Sequence, residues 1–377
     1  MQILCVPQGE FELRRHPYHP KDPLRAWDAA DEYLLNVLHE ENCLAAGQRI
    51  LILNDSFGAL GVALARYQPL SQSDSALAHA GTHANLQLNQ LPTDSVSLFH
   101  SLEKLDGPFD LVLMKLPVNL SMLEDQLHRL RPVLSEQTRI IAADMAKHIH
   151  TSTLTLFEKI IGPTRTSLAR KKARLIFSQF DPQLEAGPNP YPKSYVLDGT
   201  EHVILNHSGI FSREKLDIGS RFFLEHLPQQ TQAHTIIDLG CGNGVVGLMA
   251  AEKNPQAKII FTDESWMAVA SAQANFDAAF ATEQQAEFHW TDCLTGVDDN
   301  SADLVLNNPP FHQQSTVGDF IAKRMFLDAK HVLRPGGELW VIGNRHLGYH
   351  VQLKKLFGNV HTVASNSKFV ILQARKS

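Results

Sequence analysis

Residues 235–247 read TIIDLGCGNGVVG. The apolar residues around one aspartate predict a short buried strand over 235–239, and the glycines after it predict a tight turn. A helix that begins at Val245 would point its first N–H groups toward a ligand held at the turn. The spacing Gly242-x-Gly244-x-x-Gly247 also fits the dinucleotide-binding pattern, which would place a pyrophosphate here. The stretch therefore predicts an α/β unit that binds a nucleotide-like ligand.

Asp238 separates two classes of ligand at this turn. A carboxylate two residues before the first glycine, Gly240, would repel a pyrophosphate, whereas it suits a cationic ligand. S-adenosylmethionine (SAM) carries an ammonium and a sulfonium group. The D-x-G-x-G-x-G pattern resembles the first motif of class I SAM-dependent methyltransferases. The resemblance implies that Asp238, Gly240, Gly242 and Gly244 bind SAM.

Two further carboxylates follow the next predicted strands. Asp263 comes directly after the predicted strand 258–262, and we expect it to accept hydrogen bonds from the ribose hydroxyls of the cofactor. Asp292 follows the predicted strand 286–290, which would bring it near the adenine amino group. Aspartates at these places are also common as helix caps or turn residues.

The stretch Asn308-Pro-Pro-Phe311 follows the predicted strand 302–306, where open α/β sheets bind their ligands. The two prolines have fixed φ and no N–H, so the turn is rigid. It would present the Asn308 side chain and the Pro309 carbonyl as two acceptors, which matches the two hydrogens of an NH₂ group. Phe311 would stack on a base held outside its helix. The motif resembles that of amino-methyltransferases, which act on adenine, cytosine, guanine or a protein glutamine.

The first half of the chain repeats the pattern of the second. Residues 109–117 read FDLVLMKLP and residues 302–310 read ADLVLNNPP, while residues 181–192 contain four prolines and predict a linker. We therefore predict two tandem Rossmann-like domains of the class I SAM-methyltransferase type, derived by duplication, at 1–185 and 186–377. In the first domain Ile52 stands where the second has Asp238, and Lys115 stands where it has Asn308. This domain is predicted to be degenerate and to bind RNA or support its neighbour.

Asn308–His312 together with Gly209–Gly219 is similar to the ribosomal RNA guanine-N2 methyltransferases. Two branches of that family share the duplicated build, one acting on large-subunit RNA (RlmG-like) and one on small-subunit RNA (RsmC-like). The stretches 26–35, 149–154 and 344–346 look most like the large-subunit branch. The resemblance implies methylation of a guanine N2 amine in 23S rRNA, with S-adenosylhomocysteine as the product of the cofactor.

The same resemblance implies that Phe211 and Ser212 approach the methionine end of the cofactor, although Phe211 could instead be a core aromatic residue. Other activities stay open: methylation of 16S rRNA, methylation of a protein glutamine, or a non-catalytic RNA-binding role in ribosome assembly. The intact residues Asp238, Asn308 and Pro309 argue against the non-catalytic alternative.

The formal net charge is −6, and both halves carry more acidic than basic residues, so any RNA contact must be local. The candidates are Arg345 and the five cations of the stretch 165–174, namely Arg165, Arg170, Lys171, Lys172 and Arg174. Four widely spaced cysteines and the pattern of 19 histidines predict neither disulfides nor a metal site. The absence of a long apolar run or a signal-like N-terminus predicts a cytoplasmic protein without a membrane span, and we expect a monomer.

Overall fold

The structure is a computed structural model that describes residues 2–20, 23–230, 232–280, 284–310 and 316–377. It divides into two compact units, Met1–Tyr191 and Pro192–Ser377. The described core clusters of each unit are built from the residues of that unit. The sequence placed the boundary at 185/186, before the end of the proline-rich stretch.

The first unit begins with a hairpin and continues as alternating strands and helices. Its strands are β1 (Ile3–Val6), β2 (Gly9–Glu12), β3 (Ile50–Leu53), β4 (Leu70–Ser73), β5 (Ser97–His100), β6 (Leu111–Lys115), β7 (Arg139–Met145), β8 (Thr164–Thr166) and β9 (Ala173–Gln179). Its helices are α1 (Ala29–Glu40), α2 (Ala59–Ala63), α3 (Ala76–Leu88), α4 (Leu120–Leu130) and α5 (Thr151–Ile160).

The second unit has the same plan. Its strands are β10 (Lys193–Val196), β11 (Val203–Asn206), β12 (Thr235–Leu239), β13 (Lys258–Asp263), β14 (Ala286–Trp290), β15 (Ala302–Asn307), β16 (Leu333–Asn344), β17 (His361–Ser365) and β18 (Phe369–Arg375). Its helices are α6 (Ile218–Leu224), α7 (Val245–Lys253), α8 (Trp266–Phe280), α9 (Thr316–Val332) and α10 (Tyr349–Phe357).

Within the described ranges, each unit contains one seven-stranded sheet, and the two sheets have the same strand order. The orders are β5-β4-β3-β6-β7-β9-β8 and β14-β13-β12-β15-β16-β18-β17. In both sheets the first five strands of the order run parallel, the sixth (β9 or β18) runs in the opposite direction, and the edge strand (β8 or β17) pairs antiparallel with the sixth. The predicted pair of Rossmann-like units is confirmed. Because the carboxyl ends of the parallel strands share one edge, the loops after β12, β13, β14 and β15 converge there.

The central strand β12 is apolar because helices cover both faces of the sheet. Ile236, Ile237 and Leu239 are buried, and their side chains enter two different core clusters. At Gly247, in the first turn of α7, an added Cβ would lie 2.3 Å from Cε1 of Phe261. This glycine therefore allows α7 to pack closely on the sheet.

The proline-rich segment after β9 is fastened to the first unit. Arg131 donates from Nη2 to the carbonyl of Leu184 at 2.9 Å, and Asn189 Nδ2 donates to Asp125 at 2.6 Å. The Tyr191 hydroxyl donates to Glu124 at 2.9 Å. Prolines prevent a helix here, but they do not prevent hydrogen bonds between this segment and the first unit. The segment predicted as a linker therefore belongs to the first unit as far as Tyr191.

Candidate active site

The loop after β12 bends through three glycines with left-handed backbone. Gly240, Gly242 and Gly244 have φ values of 71°, 55° and 78°. A Cβ at Gly240 would lie 2.9 Å from Met325 Cε, and one at Gly244 would lie 2.7 Å from Ala272 Cβ, whereas nothing lies within 4 Å at Gly242. Gly242 is thus the glycine that leaves open space for a ligand, and Gly244 serves the packing of the turn against α8.

Asp238 lies inside the turn rather than at its surface. It is 2% exposed, and its Oδ2 accepts the Gly247 N–H at 2.8 Å. Burial, reinforced by the neighbouring Asp263, raises the pKa of Asp238 to about 8 despite the hydrogen bond from Gly247. A nearby cation would favour the ionised carboxylate. The position is therefore compatible with a positively charged ligand, and Asp238 also supports the start of α7.

Asp263, the last residue of β13, connects two neighbouring loops. Its Oδ2 accepts the Gly242 N–H at 3.0 Å, and its Oδ1 accepts the Ser265 N–H at 2.9 Å. The first bond joins Asp263 to the open part of the glycine turn. The predicted cofactor residues Asp238, Gly242 and Asp263 therefore lie together at one edge of the sheet.

Asp292 follows β14 and is held by a residue that the sequence did not single out. Arg324 of α9 approaches it with Nη2 at 3.8 Å from the carboxylate, while Arg324 Nε donates to both oxygens of Asp328. Arg324 and Asp328 are four positions apart, a spacing that predicts an ion pair on one helix. The spacing does not predict the contact of Arg324 with Asp292.

The Asn308 side chain is oriented by Ser220. Its Nδ2 donates to Ser220 Oγ at 3.0 Å. Its Oδ1 is buried and has no hydrogen-bond partner among the described residues. Pro309 is buried next to it, while Phe311 lies outside the described residues. An unpartnered buried acceptor is costly unless a ligand completes it, so this oxygen is suited to receive an N–H from a substrate.

Ser220 is fixed by the beginning of α6. The N-cap Asp217 accepts the N–H groups of Gly219 and Ser220 at 2.9 and 3.1 Å. A Cβ at Gly219 would lie 3.1 Å from Phe369 Cε1, so a side chain there would press on β18. The Asp-x-Gly-Ser cap signal is visible in the sequence, but its partner Asn308 is 88 residues away and could not be found from it.

Phe211 is 77% exposed, so the interpretation as a core aromatic residue is wrong. Ser212 follows it with φ of 54°, a left-handed conformation uncommon for serine. Nearby Ile218, at the start of α6, is 65% exposed. This segment therefore presents apolar side chains to the outside, although the structure does not test the predicted contact of Phe211 with a cofactor.

The loop after β3 in the first unit has a backbone turn similar to that of the loop after β12, but its side chains differ. Asn54 adopts φ of 63° and donates its N–H to Gln72, as Gly240 does to Thr262. Ile52 replaces Asp238, as the alignment predicted. However, the buried Asp55 accepts the Gly61 N–H at 2.8 Å, which corresponds to the bond between Gly247 and Asp238. A carboxylate from a different position has thus taken over the structural part of the role.

Lys115 lies where the second unit has Asn308, and it is tied to two carboxylates. Its Nζ is 2.8 Å from Asp28 and 2.9 Å from Asp31, and its side chain is 12% exposed. Burial lowers the pKa of Lys115, but Asp31 and Asp28 more than offset this and raise it above its usual value. An ion cluster therefore occupies the position at which the second unit offers a free acceptor.

The predicted RNA-binding cations of the first unit differ in their surroundings. Arg170 donates to both oxygens of Glu40 and lies over the ring of Tyr33, and Lys171 pairs with Glu32 at 2.7 Å. Arg165 stacks on Phe177, with 4.1 Å to the ring centroid. RNA binding by these residues and by Lys172, Arg174 and Arg345 stays a prediction.

The strand order, the glycine turn after β12 and the Asn-Pro-Pro turn after β15 define the second unit as a Rossmann-like methyltransferase domain. A family model described as "Methyltransferase small domain" matches residues 201–373, and one described as "RLMG N-terminal domain" matches residues 1–182. The chain belongs to the family of ribosomal RNA large subunit methyltransferase G, and it is a methyltransferase.

Two relatives and one solved structure illustrate the similarity. The ribosomal RNA large subunit methyltransferases G of Streptomyces griseus subsp. griseus and Stutzerimonas stutzeri are each 50% identical, and each match covers 100% of both chains. The 16S rRNA N2 methyltransferase RsmC of T. thermophilus, solved with AdoMet and guanosine, is 22% identical with a TM-score of 0.76. That match covers 100% of this chain and 98% of the other, and it shows the same fold.

Two kinds of feature are absent from the part of the chain that the structure describes. No three side chains of His, Cys, Asp or Glu are grouped so that they could hold a metal ion. No helix in the same residues combines the length and the apolar character needed to cross a membrane.

Proposed function

We propose that this protein methylates the exocyclic N2 amine of a guanine in 23S rRNA, with SAM as the methyl donor. The single observation that carries the proposal is the buried Oδ1 of Asn308, which has no partner among the described residues while the amide is held by Ser220. The names of the 50%-identical relatives support large-subunit RNA as the substrate.

The residues at the sheet edge fit SAM. Open space at Gly242 admits the cofactor, and the carboxylate of Asp263 lies beside this glycine, where it can accept from the ribose hydroxyls. Asp238 favours a cation in its vicinity once it is ionised. Asp292, held by Arg324, is assigned to the adenine amino group. When bound, SAM supplies a methyl group on a sulfonium and leaves as S-adenosylhomocysteine.

Asn308 acts on the guanine amine. Its Oδ1 accepts one N–H, and we assign the second N–H to the Pro309 carbonyl. The lone pair of an aromatic amine is delocalised into the ring, so acceptors on both hydrogens shift electron density back to nitrogen and make it a better nucleophile. The nitrogen then forms the new N–C bond, and one N–H proton passes to water, since the methylated amine is acidic before it loses that proton.

The first unit is proposed to bind RNA and to support the second unit without binding SAM. Lys115 with Asp28 and Asp31 replaces the free acceptor, and Ile52 removes the carboxylate that faces the cofactor turn in the second unit. The cations of residues 165–174 would provide part of the RNA contact, with Lys172 more accessible to phosphates than the glutamate-bound Arg170 and Lys171.

The test is to map N2-methylguanine in 16S and 23S rRNA from cells that lack the gene. We expect one position in 23S rRNA to lose its methyl group and the purified protein with SAM to restore it. Loss of a 16S position instead would assign the chain to small-subunit RNA, and an unchanged methylation pattern in both RNAs would refute the proposal.

A further inference from the structure

The second unit has a shallow concavity beyond the carboxyl end of β16. Its lining residues are Asn344, Arg345, His346, Ser367 and Lys368, and we call it the Arg345 concavity. Its volume of about 330 Å³ is at the lower end of the range for small-molecule sites and suits a group of the size of one nucleotide. None of the lining residues is acidic, and two carry a permanent positive charge.

The same place in the first unit offers a direct comparison. There the Ala146 N–H donates to the Lys172 carbonyl at 2.7 Å, as the Arg345 N–H donates to the Lys368 carbonyl at 3.1 Å. The neighbouring cations Arg170 and Lys171 of the first unit are bound to glutamates of α1. By contrast, in the described ranges no carboxylate forms an ion pair with Arg345 or Lys368. Arg345 donates from Nη1 to the Asn366 carbonyl at 3.4 Å, and the Lys368 ammonium lies 5.0 Å from the centroid of the Phe369 ring. Neither contact neutralises the charge, so both cations can attract an anion.

Asn344 adds a second kind of contact. Its Oδ1 is buried and lacks a hydrogen-bond partner within the described part of the chain. This acceptor cannot bind a phosphate oxygen, but it can accept from a hydroxyl. A ribose beside a phosphate offers both groups, because the 2′-OH is a donor and the phosphate is an anion. The set of two cations and one acceptor therefore fits a ribonucleotide better than a free phosphate.

The concavity is linked to Asn308 through a short series of contacts. Phe369, which follows Lys368, pairs with Asn344 in the sheet, and its ring packs against Gly219. Ser220, next in the chain, holds Asn308. In addition, Asn307 pairs with Val341, so Asn344 lies about 10 Å further along its strand at ~3.3 Å per residue. A nucleotide close to one held at Asn308 can reach the concavity.

We propose that the Arg345 concavity binds the ribose and phosphate of a nucleotide close to the target guanine on the same RNA strand. Arg345 and Lys368 bind the phosphate, and Asn344 Oδ1 accepts the 2′-OH. This inference rests on the proposed function, since it requires an RNA substrate at Asn308. It adds a site that selects RNA over DNA next to the methylated base.

The experiment compares two double variants of the full chain, R345A/K368A and K354A/K355A. The second removes two exposed cations from α10 and serves as the charge-matched control. Affinity for deproteinised 23S rRNA is measured by filter binding at several salt concentrations, and SAM affinity by calorimetry. We expect R345A/K368A to bind RNA at least ~10-fold more weakly at low salt, with a salt slope reduced by ~1.4–1.8. SAM affinity stays at the wild-type value.

A third variant, Asn344→Leu, tests the ribose contact. The wild type and this variant are compared on a single-stranded RNA segment of 23S rRNA that contains the methylated guanine and on DNA of the same sequence. We expect the preference for RNA to fall ~5-fold in the variant. Wild-type behaviour of R345A/K368A, or losses equal to those of K354A/K355A, would overturn the phosphate site, and an unchanged RNA preference in N344L would overturn the ribose contact. If the wild type does not methylate 23S rRNA at all, the proposed function fails instead.

Discussion

Asn308 and Ser220 form a hydrogen bond that fixes the orientation of the Asn308 amide. Nδ2 donates to Ser220 Oγ at 3.0 Å, and Oδ1 is left as a buried acceptor. Without the serine hydroxyl the amide could rotate and present a donor to the guanine amine, which would repel its hydrogens.

Ser220→Ala should therefore lower kcat by about 10-fold, or ~1.4 kcal/mol, with SAM affinity unchanged. The readout is single-turnover methylation of 23S rRNA. Because the serine acts on the asparagine through its hydroxyl, Ser220→Thr, which keeps a hydroxyl, should retain most of the wild-type rate. A Ser220→Thr variant as slow as Ser220→Ala would show that the hydrogen bond to Asn308 is not the cause of the loss.

Asn308→Ala should abolish turnover while SAM still binds. The change removes the acceptor for the guanine amine but leaves the glycine turn, Asp238 and Asp263 intact. Calorimetry with SAM and single-turnover kinetics with saturating RNA separate the two effects. Near-normal methylation by this variant would refute the role of two acceptors at the amine.

SAM affinity should rise with pH toward about 8. The pKa of Asp238 is raised to about 8 without ligand, and a cation nearby stabilises the ionised form, so binding releases a proton. Below the raised pKa this costs affinity, by up to ~10-fold per pH unit for one proton. Asp238→Asn, which can still accept the Gly247 N–H, should remove this part of the pH dependence. The same variant also corrects for titration of SAM itself.

Lys115→Met should destabilise the first unit by ~3–5 kcal/mol, because it leaves the buried Asp31 without a counter-ion. Hydrogen exchange measured by mass spectrometry locates the effect, and we expect faster exchange in β6 and α1. Lys354→Met on the exposed face of α10 is the control and should change nothing there. Equal protection in the K115M variant and the wild type would mean that the ion cluster contributes little.

The second unit, expressed as residues 192–377, should fold and keep wild-type SAM affinity within ~2-fold. Its described core clusters use no residue of the first unit. It should lose most of its RNA affinity, at least ~10-fold, since the cations of residues 165–174 are missing. If this fragment binds and methylates RNA as the full chain does, the first unit is dispensable for recognition.

The sequence was sufficient for the sheets because their strands are short, apolar and bounded by glycine turns. The strand Thr235–Leu239 was predicted to the residue, and the repeat of residues 109–117 in 302–310 predicted two copies of one fold. Such signals involve residues that are adjacent in the sequence, so they can be recognised without the structure.

Contacts between distant residues could not be predicted in the same way. Ser220 contacts Asn308, and Arg324 contacts Asp292, although the members of each pair are far apart in the sequence. The residue types alone do not indicate which partner each side chain has. Lys115 was recognised as a departure from Asn308, but its attachment to Asp28 and Asp31 depends on how α1 packs on the sheet, where it contacts β7 and β9. The role of Asp55 could not be predicted by comparing the two halves, because Asp55 and Asp238 do not occupy equivalent positions in the sequence.

The Lys115 cluster also restricts how the first unit can change. A single Lys115→Asn substitution would give the first unit the side chain of the second, yet it would leave the buried Asp31 beside Asp28 with neither carboxylate paired to a cation of the described residues. An asparagine at this position would thus require compensating substitutions at Asp28 and Asp31. The stability of the first unit therefore opposes the return of an asparagine at this position, and the two halves of the chain stay different where the second unit has Asn308.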